Sequence, residues 1–207
     1  IASCLVGSEM CIRDRCLVDR EPRSLSPKDR ELLQDLAAMA EDEIAAIQSA
    51  TIDHLTQMSN RRGFEVLGNH VLATCARLSL PATLLFFDLD GFKQINDQHG
   101  HSEGDRALQR FAEAMSLTFR TSDVYARLGG DEFVVLLSNT SEPEIHAALE
   151  RLQHAIDASN ANVVPGLHLR FSAGAVTSEA GSEDIAALLR KADQRMYENK
   201  RLRRTAV

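Results

Sequence analysis

Two adjacent glycines, Gly129 and Gly130, separate two runs of β-branched and other apolar residues in the stretch 123–137. A two-residue Gly-Gly connection of this kind is a strong hairpin signal, because both glycines can adopt the positive φ angle that a tight turn requires. Asp131 and Glu132 follow directly, at the start of an otherwise apolar strand. These carboxylates either belong to a solvated turn or lie beside a cation, and the rest of the chain decides between the two interpretations.

The composition narrows the class of protein. The chain has 207 residues, of which 44% are apolar, which is enough for one domain with its own core and an appended segment. A net charge of −7 argues against a DNA or RNA partner, and no apolar run approaches the roughly 20 residues that span a bilayer. The four cysteines include no CxxC pair, so we expect a cytoplasmic protein without zinc or disulfides and without a membrane segment in this fragment.

Residues 1–15 follow neither a helical nor a strand period. They also lack the basic region followed by an apolar run that marks a signal peptide. The stretch 10–14 resembles a translated adaptor sequence of the kind found at the ends of sequencing contigs. We therefore interpret residues 1–15 as a non-native or disordered tip.

Residues 16–52 contain a predicted long helix, whose start is marked by Ser26 and by Pro27 at the first helical position. Apolar residues then form one stripe with a helical period, at Leu32, Leu36, Met39, Ala40, Ile44 and Ile47. The helix either lies on the following domain or protrudes and pairs with a second copy, which is the interpretation that we favour. Since residues 16–47 resemble the end of a GAF sensor domain, we read 16–52 as a sensor tail followed by a signalling helix.

Residues 53–207 carry the pattern of a separate α/β (α+β) domain. The apolar run 83–87 predicts a strand that is buried on both faces and that ends at Asp88. Further elements are predicted around it in chain order: helices over 65–78, 92–97 and 102–117, the hairpin, a helix over 142–156, a strand over 168–176 and a last helix over 182–200. This order predicts a central mixed, largely antiparallel sheet wrapped by helices.

Carboxylates are expected to meet at one edge of this sheet. Asp88 stands at the end of the buried strand, while Asp131 and Glu132 stand at the tip of the hairpin. If the hairpin pairs beside the strand, these acids repel one another unless a divalent cation lies between them. Mg²⁺ suits carboxylates combined with a backbone carbonyl and substrate phosphates, as in enzymes of phosphoryl and nucleotidyl transfer.

Other polar residues fit a nucleotide at the same place. Lys93 follows the strand end and can reach a phosphate, while Lys200 and Arg204 stand four residues apart on the last helix. Asn96 and Asp105 have the donors and acceptors that a purine edge requires. Taken singly, each of these residues also has an ordinary structural explanation as a helix cap, a solvated side chain or a charge at a helix end.

Three blocks, 88–97, 100–105 and 129–133, stand in the order and spacing of the GGDEF domain of diguanylate cyclases, which the chain resembles from about residue 52 to 204. The resemblance implies a fold like the catalytic core of adenylate cyclases. It also implies the condensation of two GTP molecules into cyclic di-GMP, with release of two pyrophosphates. Each domain would hold one GTP, so the reaction would require a homodimer.

The resemblance assigns a role to individual residues. The ligands of Mg²⁺ or Mn²⁺ would be Asp88, the carbonyl of Leu89, and Asp131. The catalytic signature would be Gly129, Gly130, Asp131 and Glu132, in which Glu132 either binds a metal or acts as a base. GTP would be bound through its guanine by Asn96 and Asp105, and through its triphosphate by Lys93, Lys200 and Arg204.

A second site is implied just before the hairpin. Arg120 and Asp123 have the spacing of the RxxD motif through which this family is inhibited by its product, and Arg151 is a secondary candidate. Without the resemblance, a surface ion pair would explain this motif. The sequence also departs from the family pattern, since Gln57 and Met58 replace a Gly-Leu pair and no glycine precedes Arg204.

We therefore expect a metal-dependent diguanylate cyclase domain with product inhibition. One alternative is a catalytically silent GGDEF module that binds GTP or cyclic di-GMP and signals by contact. The other is a cyclase that makes a different cyclic dinucleotide, because the choice of purine depends on few side chains.

Overall fold

The computed structural model describes residues 26–161, 163, 166–178 and 183–205, without the side chains of 48 and 203–205. The predicted tip, 1–15, and the first part of the GAF-like segment, 16–25, lie outside the described residues. The chain divides into two units, 1–43 and 44–207. Among the described residues, no helix has both the length and the apolar character needed to cross a bilayer.

Helix α1 runs from Pro27 to Thr51, as predicted. Ser26 and Asp29 form the start of the helix: the backbone N–H and hydroxyl of Ser26 donate to the Asp29 carboxylate at 3.0 and 2.7 Å. The same hydroxyl accepts a hydrogen bond from the backbone N–H of Asp29, so the cap satisfies donors that the first helical turn leaves free. Apolar side chains along α1, such as Leu36 and Met39, are exposed in the single chain. Pairing with a second copy stays a prediction, as does the GAF-like sensor tail.

The second unit contains an antiparallel sheet of four strands in the order β2-β3-β1-β4. Its strands are β1 (Ala82–Leu89), β2 (Val124–Gly129), β3 (Glu132–Ser138) and β4 (Phe171–Ser178). Its helices are α2 (Arg61–Leu78), α3 (Phe92–His99), α4 (His101–Thr118), α5 (Glu142–Asn160) and α6 (Ile185–Thr205). The α+β prediction is confirmed. We also predicted a sheet with both parallel and antiparallel pairs. Among the described residues, parallel pairing occurs in one isolated bridge, between Ser59 and Ala126.

Strand β1 is central because it pairs with β3 on one side and β4 on the other. Alternate side chains point to opposite faces of a strand, so β1 contributes to two cores. Phe87 packs with Phe111 and Phe171 in the core that α4 and α5 cover, at ring-centroid distances of 6.0 and 5.7 Å. Leu84 and Phe86 belong to the other core, beneath α2 and α6. The continuous apolar run in the sequence reflects this double burial.

The loop that leads into α2 shows how the two departures from the family pattern are accommodated. Gln57 adopts a φ of 58°, a left-handed conformation that glycine adopts without strain. Met58 is buried in the core, where a methionine fills space of about the same size as a leucine. Asn60 then caps α2 by accepting a hydrogen bond from the backbone N–H of Gly63 at 3.0 Å. The loop therefore keeps a buried apolar residue and its helix cap, with backbone strain at Gln57.

Candidate active site

The predicted hairpin is present, with its turn shifted by one residue. Gly129 pairs with Glu132, so the two turn residues are Gly130 and Asp131, after a register shift between Arg127 and Gly129. Gly130 has a φ of 52°, and Gly129 has a φ of 146°. The prediction of a Gly-Gly turn was therefore wrong by one position, because the register shift extends β2 through Gly129.

The end of β1 and the turn lie side by side. Asp88 is directly paired with Glu132 in the β1–β3 ladder, and the backbone N–H of Leu89 donates to the carbonyl of Asp131 at 3.2 Å. The hydrogen-bond register therefore brings Asp88, Asp131 and Glu132 to one edge of the sheet. We call these three residues the carboxylate edge.

Burial and like charge disfavour the ionised forms of Asp131 and Glu132 at the carboxylate edge. Burial, followed by the charge of Asp88, raises the pKa of Asp131 above its ordinary value. Burial also raises the pKa of Glu132, together with the charge of Asp193 on α6, while Arg61 at 3.8 Å opposes this shift. The sequence interpretation missed Asp193 and Arg61, which carry no local signal that relates them to the hairpin.

The donor set fits a hard divalent cation that also binds substrate. Carboxylate and carbonyl oxygens are the ligands that Mg²⁺ prefers, and this ion commonly uses one or two protein carboxylates together with phosphates. Within the described part of the chain, no three His, Cys, Asp or Glu side chains form a complete metal site by themselves. The carboxylate edge thus suits a metal that is shared with a ligand rather than one enclosed by protein.

Lys200 reaches the carboxylate edge from α6. Its ammonium pairs with Asp88 and lies 3.6 Å from Asp90. Ser172 on β4 lies within hydrogen-bond distance of both carboxylate oxygens of Asp90, at 2.9 and 3.1 Å. The sequence interpretation gave Asp90 no role and missed Ser172. Lys93 is exposed on α3, and the side chain of Arg204 lies outside the described part of the chain.

The two predicted guanine contacts stand on neighbouring helices, α3 and α4. The side chain of Asn96 lies against Gly104, where a Cβ would overlap its amide. Asp105, the next residue along α4, is exposed, while Asn96 is half-buried. The glycine at 104 therefore allows α3 and α4 to approach closely at Asn96.

Arg127 connects the hairpin to the loop before α2. Its guanidinium lies 3.1 and 3.2 Å from the two carboxylate oxygens of Asp53, and its Nε donates to the carbonyl of Gly130 at 3.0 Å. Burial raises the pKa of Asp53, but hydrogen bonds from Thr56 and the pairing with Arg127 outweigh this effect and lower the pKa overall. The sequence interpretation missed this ion pair, which joins two separate blocks of the chain.

The residues of the predicted inhibitory site also come together. Arg120, Asp123 and Arg151 line a small cavity of about 80 Å³ with Glu144, and we call these four residues the arginine cavity. The Arg120 guanidinium lies 3.8 Å from the Glu144 carboxylate, and the backbone N–H of Arg120 donates to Asp123 at 2.9 Å. Burial raises the pKa of Asp123. The sequence interpretation missed Glu144. The capping-box pattern Ser141-x-x-Glu144 could have indicated that this residue stands at the start of α5.

Residues 50–206 match the family described as diguanylate cyclase, GGDEF domain. The chain belongs to the GGDEF domain family. Among its relatives, the probable diguanylate cyclase DgcC of Escherichia coli (strain K12) is 32% identical over 168 residues, which cover 81% of this chain and 45% of DgcC. The diguanylate cyclase DosC of the same organism is 34% identical over 158 residues, which cover 75% of this chain and 34% of DosC.

A solved structure has the same fold as this GGDEF domain. The coiled coil and GGDEF domain of DgcB from Caulobacter crescentus, in complex with c-di-GMP, superpose with a TM-score of 0.77 at 22% identity. The superposition covers 84% of this chain and 93% of the DgcB chain. This chain spans less than half the length of DgcC and DosC.

Proposed function

We propose that this GGDEF domain is an active diguanylate cyclase that condenses two GTP molecules into cyclic di-GMP and releases two pyrophosphates. The observation that carries the proposal is the pairing of Asp88 with Glu132, which brings the carboxylate edge together within the family signature. The names of DgcC and DosC support the same activity. GTP and magnesium are abundant in the cytoplasm, where we place the domain.

The proposed metal is Mg²⁺ or Mn²⁺, held by Asp88, the carbonyl of Leu89, and Asp131. The raised pKa of Asp131 supports this assignment, because a cation would relieve the repulsion between two half-buried carboxylates. The bound cation would neutralise triphosphate charge and favour departure of pyrophosphate. Glu132 is proposed to act beside the attacking 3′-hydroxyl, either on a second metal or as a base.

The nucleotide is proposed to lie across the turn and the start of α3. A Cβ built at Gly129 or Gly130 would meet no atom of the described residues within 4 Å, so the turn leaves space for a close approach. The guanine would contact Asn96 and Asp105. The proposed triphosphate contacts are Lys93, Lys200 and Arg204, of which Lys200 already lies at the carboxylate edge.

Each domain would bind one GTP, so catalysis requires a homodimer in which two carboxylate edges face each other. Positioning of the two nucleotides can account for several kcal/mol of the barrier. We propose that α1, with its exposed apolar side chains, contributes to this arrangement. Cyclic di-GMP would bind in turn at the arginine cavity and inhibit the enzyme, since guanidinium groups recognise phosphates and guanine edges.

The proposal is tested by incubating the purified chain with Mg²⁺ and either GTP or ATP, followed by chromatography of the products. Cyclic di-GMP formed from GTP supports it, whereas products formed from ATP as well would indicate a different cyclic dinucleotide specificity. If no cyclic dinucleotide forms even after forced dimerisation, the domain is a silent binding module.

The Glu132→Gln variant tests the role of the signature glutamate. We expect GTP binding to be retained and turnover to be lost, because the change removes a charge at the reacting centre but little volume. Glu113→Gln, an exposed acid on α4, is the matched control and should turn over normally. Equal rates for both variants would remove Glu132 from the mechanism.

A further inference from the structure

The position of Lys200 is set by how α6 packs on β4. A Cβ at Gly174 on β4 would overlap the backbone of Met196, so the glycine allows unusually close contact between helix and strand. One turn later, the side-chain amide of Asn199 donates to the carbonyl of Ala173 at 2.9 Å. These contacts bring residue 200 next to the end of β1, where the long lysine side chain still needs a partner to fix its ammonium.

Asp90 has hydrogen-bond partners for both its carboxylate and its backbone at this place. Its carboxylate accepts from the hydroxyl of Ser172, which is 1% exposed, and its backbone N–H donates to the carbonyl of Arg170 at 2.8 Å. Ser172 has a fixed place in the sheet because it pairs directly with Asp88 on β1. The Asp90 carboxylate is therefore oriented by both its own backbone and a buried side chain of β4.

The Lys200 ammonium lies between Asp88 and Asp90, and all three side chains are largely shielded from water. Charges in such surroundings interact more strongly than they do at an exposed surface. Asp88 is the proposed metal ligand, and a carboxylate that binds a cation attracts a lysine less. Asp90 is outside the proposed ligand set, so it can keep the ammonium in place when Asp88 is engaged.

We infer that Asp90 and Ser172 are positioning residues, in which Ser172 orients the Asp90 carboxylate and Asp90 fixes the Lys200 ammonium for contact with a triphosphate, a role that rests on the proposed function of Lys200. Neither residue belongs to the catalytic signature. They act through Lys200 and touch no reacting atom. Because a fixed ammonium loses less conformational freedom on binding, this arrangement strengthens nucleotide affinity.

The first part of the test measures Lys200 itself, without nucleotide. The chain has four lysines, so the ammonium signals of ¹⁵N-lysine protein are few, and Lys200→Met identifies the one that belongs to Lys200. We expect Asp90→Asn to accelerate hydrogen exchange of this ammonium about two- to fivefold, the range of a partly exposed ion pair. Ser172→Ala should act in the same direction with a smaller effect. An unchanged exchange rate in Asp90→Asn would overturn the inference.

Asp157→Asn is the matched control. Asp157 lies on α5 and lines the same cavity of about 840 Å³ as Asp90 and Lys200, but its carboxylate accepts a hydrogen bond from the side-chain amide of Gln153. Asp157→Asn changes the net charge by the same amount as Asp90→Asn. The exchange rate of the Lys200 ammonium should stay at the wild-type value in Asp157→Asn. If Asp157→Asn accelerates exchange as much as Asp90→Asn does, the change in net charge explains the effect and the inference is wrong.

The second part measures affinity for a non-hydrolysable GTP analogue with Mg²⁺ by calorimetry. Asp90→Asn and Ser172→Ala should each weaken binding about two- to fivefold in the wild-type background. Neither should weaken it further in the Lys200→Met background. An equal loss in both backgrounds would show a structural role that does not pass through Lys200, and it would overturn the inference.

The two parts separate this inference from the proposed function. If the wild-type chain binds no GTP analogue while Asp90→Asn still accelerates exchange of the Lys200 ammonium, Lys200 is positioned by Asp90 and the cyclase proposal fails. If GTP binds and the exchange rate does not change, the cyclase proposal stands and the positioning role is wrong. Circular-dichroism melting of both variants excludes a general loss of the fold.

Discussion

The carboxylate edge and the arginine cavity both concentrate charge, but the fold treats them differently. At the edge, the side chains of Asp88 and its partner Lys200 are only 19% and 17% exposed, although Glu132 is 42% exposed. In the cavity, Arg120 and Glu144 are 66% and 50% exposed and meet at 3.8 Å. Electrostatic interactions weaken steeply with exposure to water. Substitutions at the edge should therefore have large effects, whereas those in the cavity should change affinities by small factors.

The largest effect is expected for Asp131→Asn at the carboxylate edge. We expect kcat to fall at least about 100-fold, because charged and polar groups at the reacting centre commonly contribute this much. The stability of the fold without metal should increase, although kcat falls. The raised pKa of Asp131 means that its charged form is disfavoured in the fold, so a neutral amide should slightly increase the free energy of unfolding in EDTA.

Cyclase assays and urea denaturation of the same preparation measure both effects of Asp131→Asn. Asp97→Asn, an exposed acid on α3, is the control and should change neither quantity. A lower stability of Asp131→Asn without metal would show that Asp131 stabilises the hairpin, contrary to the repulsion inferred for the carboxylate edge.

The next largest effect is expected for Arg127→Met, which removes the partner of Asp53. Arg127 is 13% exposed, and its loss leaves the Asp53 carboxylate partly buried and the carbonyl of Gly130 without its side-chain donor. We expect the free energy of unfolding to fall by about 2 kcal/mol, the range for hydrogen bonds to charged groups. Urea denaturation measures this loss, and a change below about 0.5 kcal/mol would place the pair among ordinary surface contacts.

The double variant Asp53→Asn/Arg127→Met sharpens the prediction for Arg127. If the two residues stabilise the fold through each other, the double variant should be no less stable than Arg127→Met alone. An additive loss would instead indicate separate contributions, from Thr56 on the Asp53 side and from Gly130 on the Arg127 side.

Residues 83–87 and the hairpin could be predicted from the sequence because their signals are local. A continuous apolar run indicates a strand covered on both faces, and a pair of glycines indicates a tight turn. The adjacency of Asp88 and the turn then followed from pairing one hairpin beside one strand. The one-residue shift of the turn could not be predicted, since the register change between Arg127 and Gly129 depends on backbone geometry.

The contacts that orient the site could not be predicted from local patterns. Ser172 and Asp90 are 82 positions apart, Lys200 and Asp88 are 112 apart, and Arg127 and Asp53 are 74 apart. No helical or strand period relates such pairs. They arise because the order β2-β3-β1-β4 and the packing of α6 bring distant segments to one edge. The spacing of family motifs predicted which groups would bind and react, but it did not predict the contacts that Ser172 and Arg127 make beside them.

A smaller effect is expected for Gln57→Gly in the loop that precedes α2. Gln57 has a φ of 58°, where glycine is unstrained and other residues are disfavoured. The change should increase the free energy of unfolding by roughly 0.5–1 kcal/mol, since relief of strain outweighs the extra freedom of glycine in the unfolded chain. Asn139→Gly is the matched control: its φ is 49°, but asparagine tolerates this region, so it should gain less. An equal gain at both positions would contradict backbone strain specific to Gln57.

The smallest effect is expected in the arginine cavity, for Glu144→Gln. Glu144 pairs with Arg120 and places a negative charge where the phosphates of cyclic di-GMP would bind. Because a glutamine at this helix position can still accept from Ser141 and complete the capping box, α5 should keep its stability. Inhibition by the product should become tighter by about two- to threefold, the range for one exposed ion pair.

Measured product inhibition curves of three variants decide the role of the arginine cavity. Glu144→Gln should lower the inhibition constant, Arg120→Ala should relieve inhibition, and Glu142→Gln, an exposed acid at the start of α5, should leave the constant unchanged. If Glu144→Gln weakens inhibition instead, Glu144 orients Arg120 for the product rather than competing with it. If Arg120→Ala leaves the inhibition curve unaltered, Arg120 only forms a surface ion pair, and the arginine cavity does not control catalysis at the carboxylate edge.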